Sequence, residues 1–278
     1  MRYTDKLRQA VRETESLLCV GLDPVPERLP ESIRSSYSTI TKQIFHFCRE
    51  VIETTLPYAC AYKPNLAFFE ALGPDGMDIF REVRAQIPYS RIVIADAKRG
   101  DIGHTAKQYS TAFFDQYDVD AITLSPLMGF DTMETFLEDS QRGVYALTLT
   151  SNPGSEDFFK KPFDGYPMMS HYIAHQLSEL QKKSNGHVGM VVVATQAGLL
   201  KEVVAEHPRA SLLIPGLGAQ GGSVDELIEA LEDHPGVPVI SVSRSIIYAG
   251  SGDEWDEQVA EKARYYKQIL NPLTAKYV

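Results

Sequence analysis

The sequence predicts a (β/α)8 barrel, an α/β fold, with one extra helix at the N-terminus and residues 1–278 forming a single barrel domain. Three observations carry this expectation. Eight short apolar runs rich in β-branched residues recur along the chain, helical patterns separate them, and no Gly-, Ser- or Pro-rich linker divides the 278 residues. Parallel neighbours need crossover helices, and eight such units match the size of this barrel.

Taken in order, an amphipathic pattern predicts the extra helix over 3–14. The strands are expected at 17–22, 58–63, 91–98, 121–124, 143–147, 189–194, 211–214 and 237–242. Helices are expected between and after them at 39–55, 75–87, 105–117, 133–139, 170–184, 197–207, 224–232 and 253–270. The segment 150–169, with Pro153, Pro162 and Pro167, exceeds the roughly 2–6 residues usual for a βα loop. It follows the fifth strand on the face where such barrels carry chemistry, as a surface insertion or as a lid.

Composition is that of an ordinary globular protein, with 44% hydrophobic and 23% charged residues. The 27 Lys and Arg against 37 Asp and Glu leave a net charge of −10. That sign disfavours nucleic acid and anionic membranes as partners, but a local cation cluster can still hold an anionic small molecule. Cys19, Cys48 and Cys60 are too few for a disulfide scaffold and form no Cys-x-x-Cys pair, so free buried thiols in a reducing, cytoplasmic setting are expected. No signal peptide or membrane span is visible: runs such as Met190-Val191-Val192-Val193-Ala194 are far short of the ~18 residues a span needs.

The densest chemical signal is Ile94-Ala95-Asp96-Ala97-Lys98-Arg99-Gly100-Asp101-Ile102-Gly103. Asp96 and Lys98 end the third strand two residues apart, so alternation points both to one side at the barrel mouth. Lys63, in Tyr62-Lys63-Pro64-Asn65, ends the neighbouring second strand, where a buried ammonium is costly unless paired. Lys63, Asp96, Lys98 and Asp101 would then form an alternating array. Asp23 ends the first strand and could bond a substrate hydroxyl or cap a turn. The seventh loop, Pro215-Gly216-Leu217-Gly218-Ala219-Gln220-Gly221-Gly222, lets backbone N–H groups approach an anion. Ser243-Arg244 ends the eighth strand, and the seventh and eighth loops form the recurrent phosphate site of such barrels.

Other residues read as structural. His171 and His175 share a helix face, with no third metal ligand suggested; His104 opens a helix; Trp255, Tyr265 and Tyr266 pack the last helix. No metal site is expected.

The motifs DAKRGDIG, GLDP, YKPN, TSNPG, PGLGAQGG and SRSI, in that barrel, together resemble the orotidine 5′-phosphate decarboxylase family, most closely its longer bacterial-type subgroup. The resemblance spans most of the chain and implies decarboxylation of orotidine 5′-monophosphate to uridine 5′-monophosphate, the last step of de novo UMP synthesis, without cofactor or metal. It implies that Asp96 and Lys98 face the orotate carboxylate and C6, with Lys98 protonating C6. Lys63 would hold Asp96 and touch the ribose. The implied catalytic set is thus Lys63, Asp96, Lys98 and Asp101. The implied substrate-binding set is Asp23, Ile102, Thr105, Ser151, Pro215, Gln220, Gly221, Ser243 and Arg244, with Ser151 on the pyrimidine and Gln220 and Arg244 on the phosphate. In this family a homodimer shares its sites, so Asp101, Ile102 and Thr105 would complete the neighbour's. Ser243 stands where many relatives have Gly, and its backbone N–H can still serve. Two rival readings are a magnesium-dependent sugar-phosphate lyase and a silent nucleotide-binding barrel. The first generally carries an acid where this chain has Lys63, and the second has no need of the charge array.

Overall fold

The computed structural model describes residues 1–194, 197–217 and 223–278. Helix α1 (Tyr3–Thr14) precedes β1 (Leu18–Leu22), and α2 (Glu31–Ser36) and α3 (Ile40–Thr55) lead to β2 (Ala61–Pro64). Then come α4 (Leu66–Glu70), α5 (Gly76–Gln86), β3 (Ile92–Arg99), α6 (Gly103–Ser110) and β4 (Ala121–Leu124). The second half runs β5 (Gly143–Leu147), α7 (Met169–Lys183), β6 (His187–Val191), α8 (Ala197–Ala205), β7 (Leu212–Pro215), α9 (Val224–Ala230) and β8 (Pro238–Val242). Helices α10 (Arg244–Ile247), α11 (Trp255–Ile269) and α12 (Asn271–Thr274) close the chain. The strands form a closed parallel barrel in sequence order, with β8 pairing back to β1, as expected.

Local chemistry explains the helix starts nearest the mouth. The Asn65 side chain accepts the Ala67 N–H at 3.3 Å and so starts α4 directly after the β2 end that carries Lys63. Ser223 does the same for α9, accepting the Glu226 N–H at 3.3 Å. Where helix and sheet layers meet, the Tyr62 hydroxyl reaches Thr55 Oγ1 at 2.9 Å and donates to the Ile52 carbonyl at 3.0 Å. Tyr62 therefore faces α3, which leaves its neighbour Lys63 facing the barrel axis.

Four expected elements differ. The second strand is Ala61–Pro64 rather than 58–63, because the N–H groups of Tyr58 and Ala59 still go to the Thr55 carbonyl in the turn that ends α3. The sixth strand is His187–Val191 rather than 189–194, because the apolar run continues past the ladder as buried chain: Val192, Val193 and Ala194 are all nearly inaccessible. The helix expected over 133–139 is a 3-10 segment, Phe130–Leu137, which buries Met133, Phe136 and Leu137; apolar spacing over two turns does not separate the two helix types. The helix expected over 105–117 is α6 followed by a π-helical stretch, Thr111–Gln116.

Helix α1 covers the floor of the barrel. The Tyr3 hydroxyl meets that of Tyr145 at 2.8 Å, and its ring stacks on His187 at 5.7 Å. A Cβ on Gly143 would stand 3.1 Å from the Tyr3 ring, so the bare strand start lets that ring pack close without shifting. Lys6 pairs with Asp120, whose second oxygen accepts the Val93 N–H at 2.9 Å. Burial, helped by the charges of His207 and Arg8, pushes His187 down to about 3, so it stays neutral beneath Tyr3. All three cysteines are free and buried, and burial raises the Cys19 thiol to about 12. Among the described residues, no helix is long and apolar enough to cross a membrane. Because Tyr3 is fully buried, Tyr3→Ala should cost about 3–5 kcal/mol of unfolding free energy in urea titrations. The kcat per folded molecule should stay at the wild-type value, since the floor lies at the end away from the charge array.

Candidate active site

At the mouth, β3 departs from a regular ladder. Ala95 pairs with Ile122 and Arg99 with Leu124, so Asp96, Ala97 and Lys98 all stand against Thr123. Lys98 has a φ of +48°, uncommon for a residue with a Cβ. Simple alternation, the sequence-based reason for placing Asp96 and Lys98 together, is therefore not the geometry. They meet because the strand bulges. Thr123 Oγ1 accepts the N–H groups of Ala97 at 3.0 Å and Lys98 at 2.9 Å and donates to Asp96 Oδ1 at 3.2 Å.

Asp96 lies between two ammonium groups. Lys63 Nζ donates to its Oδ2 at 2.6 Å and Lys98 Nζ to its Oδ1 at 2.5 Å. The side chains of Lys63 and Asp96 are 8% and 11% exposed, whereas that of Lys98 is 50% exposed and opens to the mouth. Burial works against the Asp96 charge, but Lys63 and Lys98 outweigh it and hold the carboxyl well below the usual carboxylate range. Burial likewise opposes the Lys63 charge, and Asp96, aided by Asp23, raises the ammonium above the usual lysine range.

Two cavities adjoin here. One, of about 250 Å³, is bounded by Lys63, Asp96, Lys98, Thr123, Thr150, Ser151, Asn152 and Pro215, with Leu147, Val191, Val193 and Leu213 as an apolar wall. The other, of about 100 Å³, is bounded by Asp23, Lys63, Pro215, Gly216, Leu217, Ser241, Ser243, Arg244 and Ser245. Lys63 and Pro215 line both, so a molecule spanning the two passes over that ammonium. Among the described residues, Asp23 Oδ1 and Ser243 Oγ are buried without a hydrogen-bond partner, which suits them to a bound polar ligand. Tyr248 ties the two sides of the smaller cavity: its hydroxyl accepts the Val25 N–H at 2.6 Å and donates to the Asp23 carbonyl at 3.0 Å. Gly21 allows the close approach of β1 to Ser243, which a Cβ would meet at 2.6 Å.

The structure thus brings together Lys63, Asp96, Lys98, Ser151 and Pro215, with Asp23, Ser243 and Arg244 next door. Asp101, Ile102 and Thr105 line neither cavity; the Asp101 carboxylate accepts the Ile102 N–H at 2.8 Å, and Ile102 is 61% exposed. Gln220 and Gly221 lie outside the described residues. Sequence reasoning missed Thr123, whose signal was a lone hydroxyl in the apolar run Ala121-Ile122-Thr123-Leu124, and Tyr248, which carried none. Arg99 turns away from the cavities to pair with Glu70 and lies 5.5 Å from the Tyr109 ring. His171 and His175 approach Glu202 and Glu206 at 3.7 Å each, away from the mouth. No group of three or more His, Cys, Asp or Glu suited to a metal ion occurs among the described residues. A larger cavity, about 790 Å³, opens at the floor beside Arg2, Asp139 and Arg209, with charges of both signs.

Residues 16–258 match the family described as "Orotidine 5'-phosphate decarboxylase / HUMPS family". The chain is 41% identical over 274 residues to an orotidine 5′-phosphate decarboxylase of Dehalococcoides mccartyi strain CBDB1, covering 98% of each. Among solved structures it is similar to a Toxoplasma gondii chain provisionally assigned the same activity, at 33% identity and a TM-score of 0.87, covering 100% of this chain and 97% of that one. It is also similar to the Leishmania donovani OMP decarboxylase, at 32% identity and a TM-score of 0.78, covering 96% and 100%.

Neutralising the central carboxylate should expose the cost of a buried ammonium. Asp96→Asn is expected to lower the unfolding free energy by about 3–5 kcal/mol at neutral pH. The depressed Asp96 contributes stability above the ordinary carboxylate value of 3.8 and loses it as pH falls toward its folded value. The raised Lys63 contributes below the ordinary lysine value of 10.5 and loses it as pH rises through its folded value. The gap between wild type and variant, followed by denaturant titration, should therefore be widest near neutral pH and shrink on the acid side as Asp96 takes up a proton.

Proposed function

The chain belongs to the orotidine 5′-phosphate decarboxylase / HUMPS family and decarboxylates orotidine 5′-monophosphate to uridine 5′-monophosphate; we propose that Lys63, Asp96 and Lys98 perform the chemistry. The observation that carries the proposal is the Asp96 carboxylate held between two ammonium groups at the mouth of an apolar-walled cavity. It is a carboxy-lyase of pyrimidine biosynthesis.

In this reading the pyrimidine lies in the larger cavity beside Ser151, with its carboxylate against Asp96. The ribose reaches across Lys63 to Asp23, and the phosphate meets Arg244 and the Ser243 N–H beside Pro215; Gln220 and Gly221, outside the described residues, are the further phosphate contacts the family pattern implies. The bond from C6 to the carboxylate breaks and its electron pair stays on C6. No ring carbonyl delocalises that pair, so the fixed Lys98 ammonium stabilises it and then donates its proton to C6; the amine regains a proton from water. Repulsion between the Asp96 and substrate carboxylates is relieved as neutral carbon dioxide forms. Phosphate binding, remote from C6, supplies energy for closure around the reacting centre. The array needs neither metal nor organic cofactor, and an ammonium at Lys63 opposes a divalent cation there.

Residues 1–278 act as one barrel domain, and the active form is a homodimer whose Asp101, Ile102 and Thr105 complete the partner site. Support for this comes from Asp101 and Ile102 standing outside both cavities, and from exposed Ile102, Leu127 and Met128 on the loops after β3 and β4. Free buried thiols suit a cytoplasmic setting, and a net charge of −10 suits a single nucleotide better than a nucleic acid or an anionic membrane.

Purified protein should consume orotidine 5′-monophosphate, followed by loss of orotate absorbance, at the same rate with and without EDTA. Absence of turnover sinks the reading, and a strict magnesium requirement points to a lyase instead. Lys98→Ala should abolish turnover and keep most of the affinity for uridine 5′-monophosphate; near-wild-type turnover removes Lys98 from its role.

For the shared site, inactive Asp101→Ala and inactive Lys98→Ala should regain part of the activity when mixed under subunit exchange. Mixtures that stay dead after proven exchange count against it.

A further inference from the structure

We propose that Thr123 is a positioning residue of the reaction, its hydroxyl locking the Asp96 carboxylate and the Lys98 backbone into one arrangement. The inference rests on the roles given above to Asp96 and Lys98. A threonine hydroxyl offers one donor and two acceptor lone pairs. All three are used. An ionised carboxylate only accepts, so the hydroxyl hydrogen points to Asp96 Oδ1 at 3.2 Å, and the lone pairs receive the N–H groups of Ala97 at 3.0 Å and Lys98 at 2.9 Å. The group is saturated, and its orientation is fixed by all three bonds at once.

The need for it follows from the bulge. In a regular parallel ladder, N–H groups of β3 would find carbonyls on β4, but between Ala95 and Arg99 the register shifts. The N–H groups of Ala97 and Lys98 are instead satisfied by a side chain standing in for the missing carbonyls. Lys98 holds a positive φ at this point, a conformation that persists only when its surroundings over-determine it. Thr123 is buried to 1% exposure between Ile122 and Leu124, so no water substitutes freely for its hydroxyl. Asp96 is thus gripped from both sides: Lys63 on Oδ2, and Lys98 with Thr123 on Oδ1. Loss of the hydroxyl frees both the carboxylate torsion and the backbone that aims the lysine.

Thr123 lines the larger cavity, but its hydroxyl is fully engaged by Asp96, Ala97 and Lys98, so its loss acts on their positions rather than on a bond to the nucleotide. Steady-state kinetics on orotidine 5′-monophosphate and affinity for uridine 5′-monophosphate should be measured for wild type, Thr123→Val and Thr123→Ser. Thr123→Val keeps the shape and loses the hydroxyl. Its kcat is expected to fall about 100-fold, the order that small misplacement of reacting groups costs, with product affinity near wild type. Thr123→Ser keeps the hydroxyl and should recover most of the rate. If Thr123→Val does not fold, Thr123→Cys, similar in size with only a weak acceptor, is judged by the same criteria. A loss in kcat below roughly tenfold, an equal loss in product affinity, or a serine variant as slow as valine overturns the inference. Wild-type protein without turnover would overturn the assigned activity instead, so the two failures are distinct.

Discussion

A buried carboxylate cannot keep its charge alone, and the mouth of this barrel is organised around that constraint. Asp96 remains ionised because Lys63 and Lys98 each take one of its oxygens. In turn Lys63, on the neighbouring strand and almost without solvent, remains charged because Asp96 is there. Neither charge is tolerable without the other. The third charge differs: Lys98 is half exposed and joins the pair from the open side, so it is the member of the group free to meet an incoming ligand.

The barrel supplies what this arrangement needs. Parallel strands β2 and β3 end side by side, bringing Lys63 and Asp96 within hydrogen-bond reach. The bulge in β3 then lets a lysine two residues from Asp96 curl back onto the same carboxylate. On the far side, Tyr248 joins the end of α10 to the loop after β1 through a single hydroxyl, which bonds the Val25 N–H and the Asp23 carbonyl. Helix α1, at the floor, fixes the opposite end through Tyr3 and Lys6, so the barrel is braced away from its chemistry.

Much of this was legible in the residues. Strand count, order and most boundaries follow from apolar runs separated by helical spacing, and strands 121–124 and 143–147 match residue for residue. The site charges were legible because Lys63 and Asp96 interrupt strands that are otherwise apolar. What escaped has common causes. Four short helices, α2, α4, α10 and α12, are too brief for periodicity to register. The bulge depends on how β3 sits against β4, a relation between distant segments that no single run displays. Thr123 and Tyr248 act through hydroxyl groups on residues whose types are ordinary for their elements, so their importance lies wholly in what the fold sets beside them.

Lys63 forms a wall common to both cavities. A charge in that place belongs at once to the chamber that would hold a sugar phosphate and to the chamber beside the reactive carboxylate. Occupancy of either one alters the field felt in the other, and by thermodynamic reciprocity the influence runs equally in both directions. Affinity and reactivity therefore share a single determinant. Any evolutionary drift at this position must retune the two together, which makes the lysine a pivot between what the barrel selects and what it transforms.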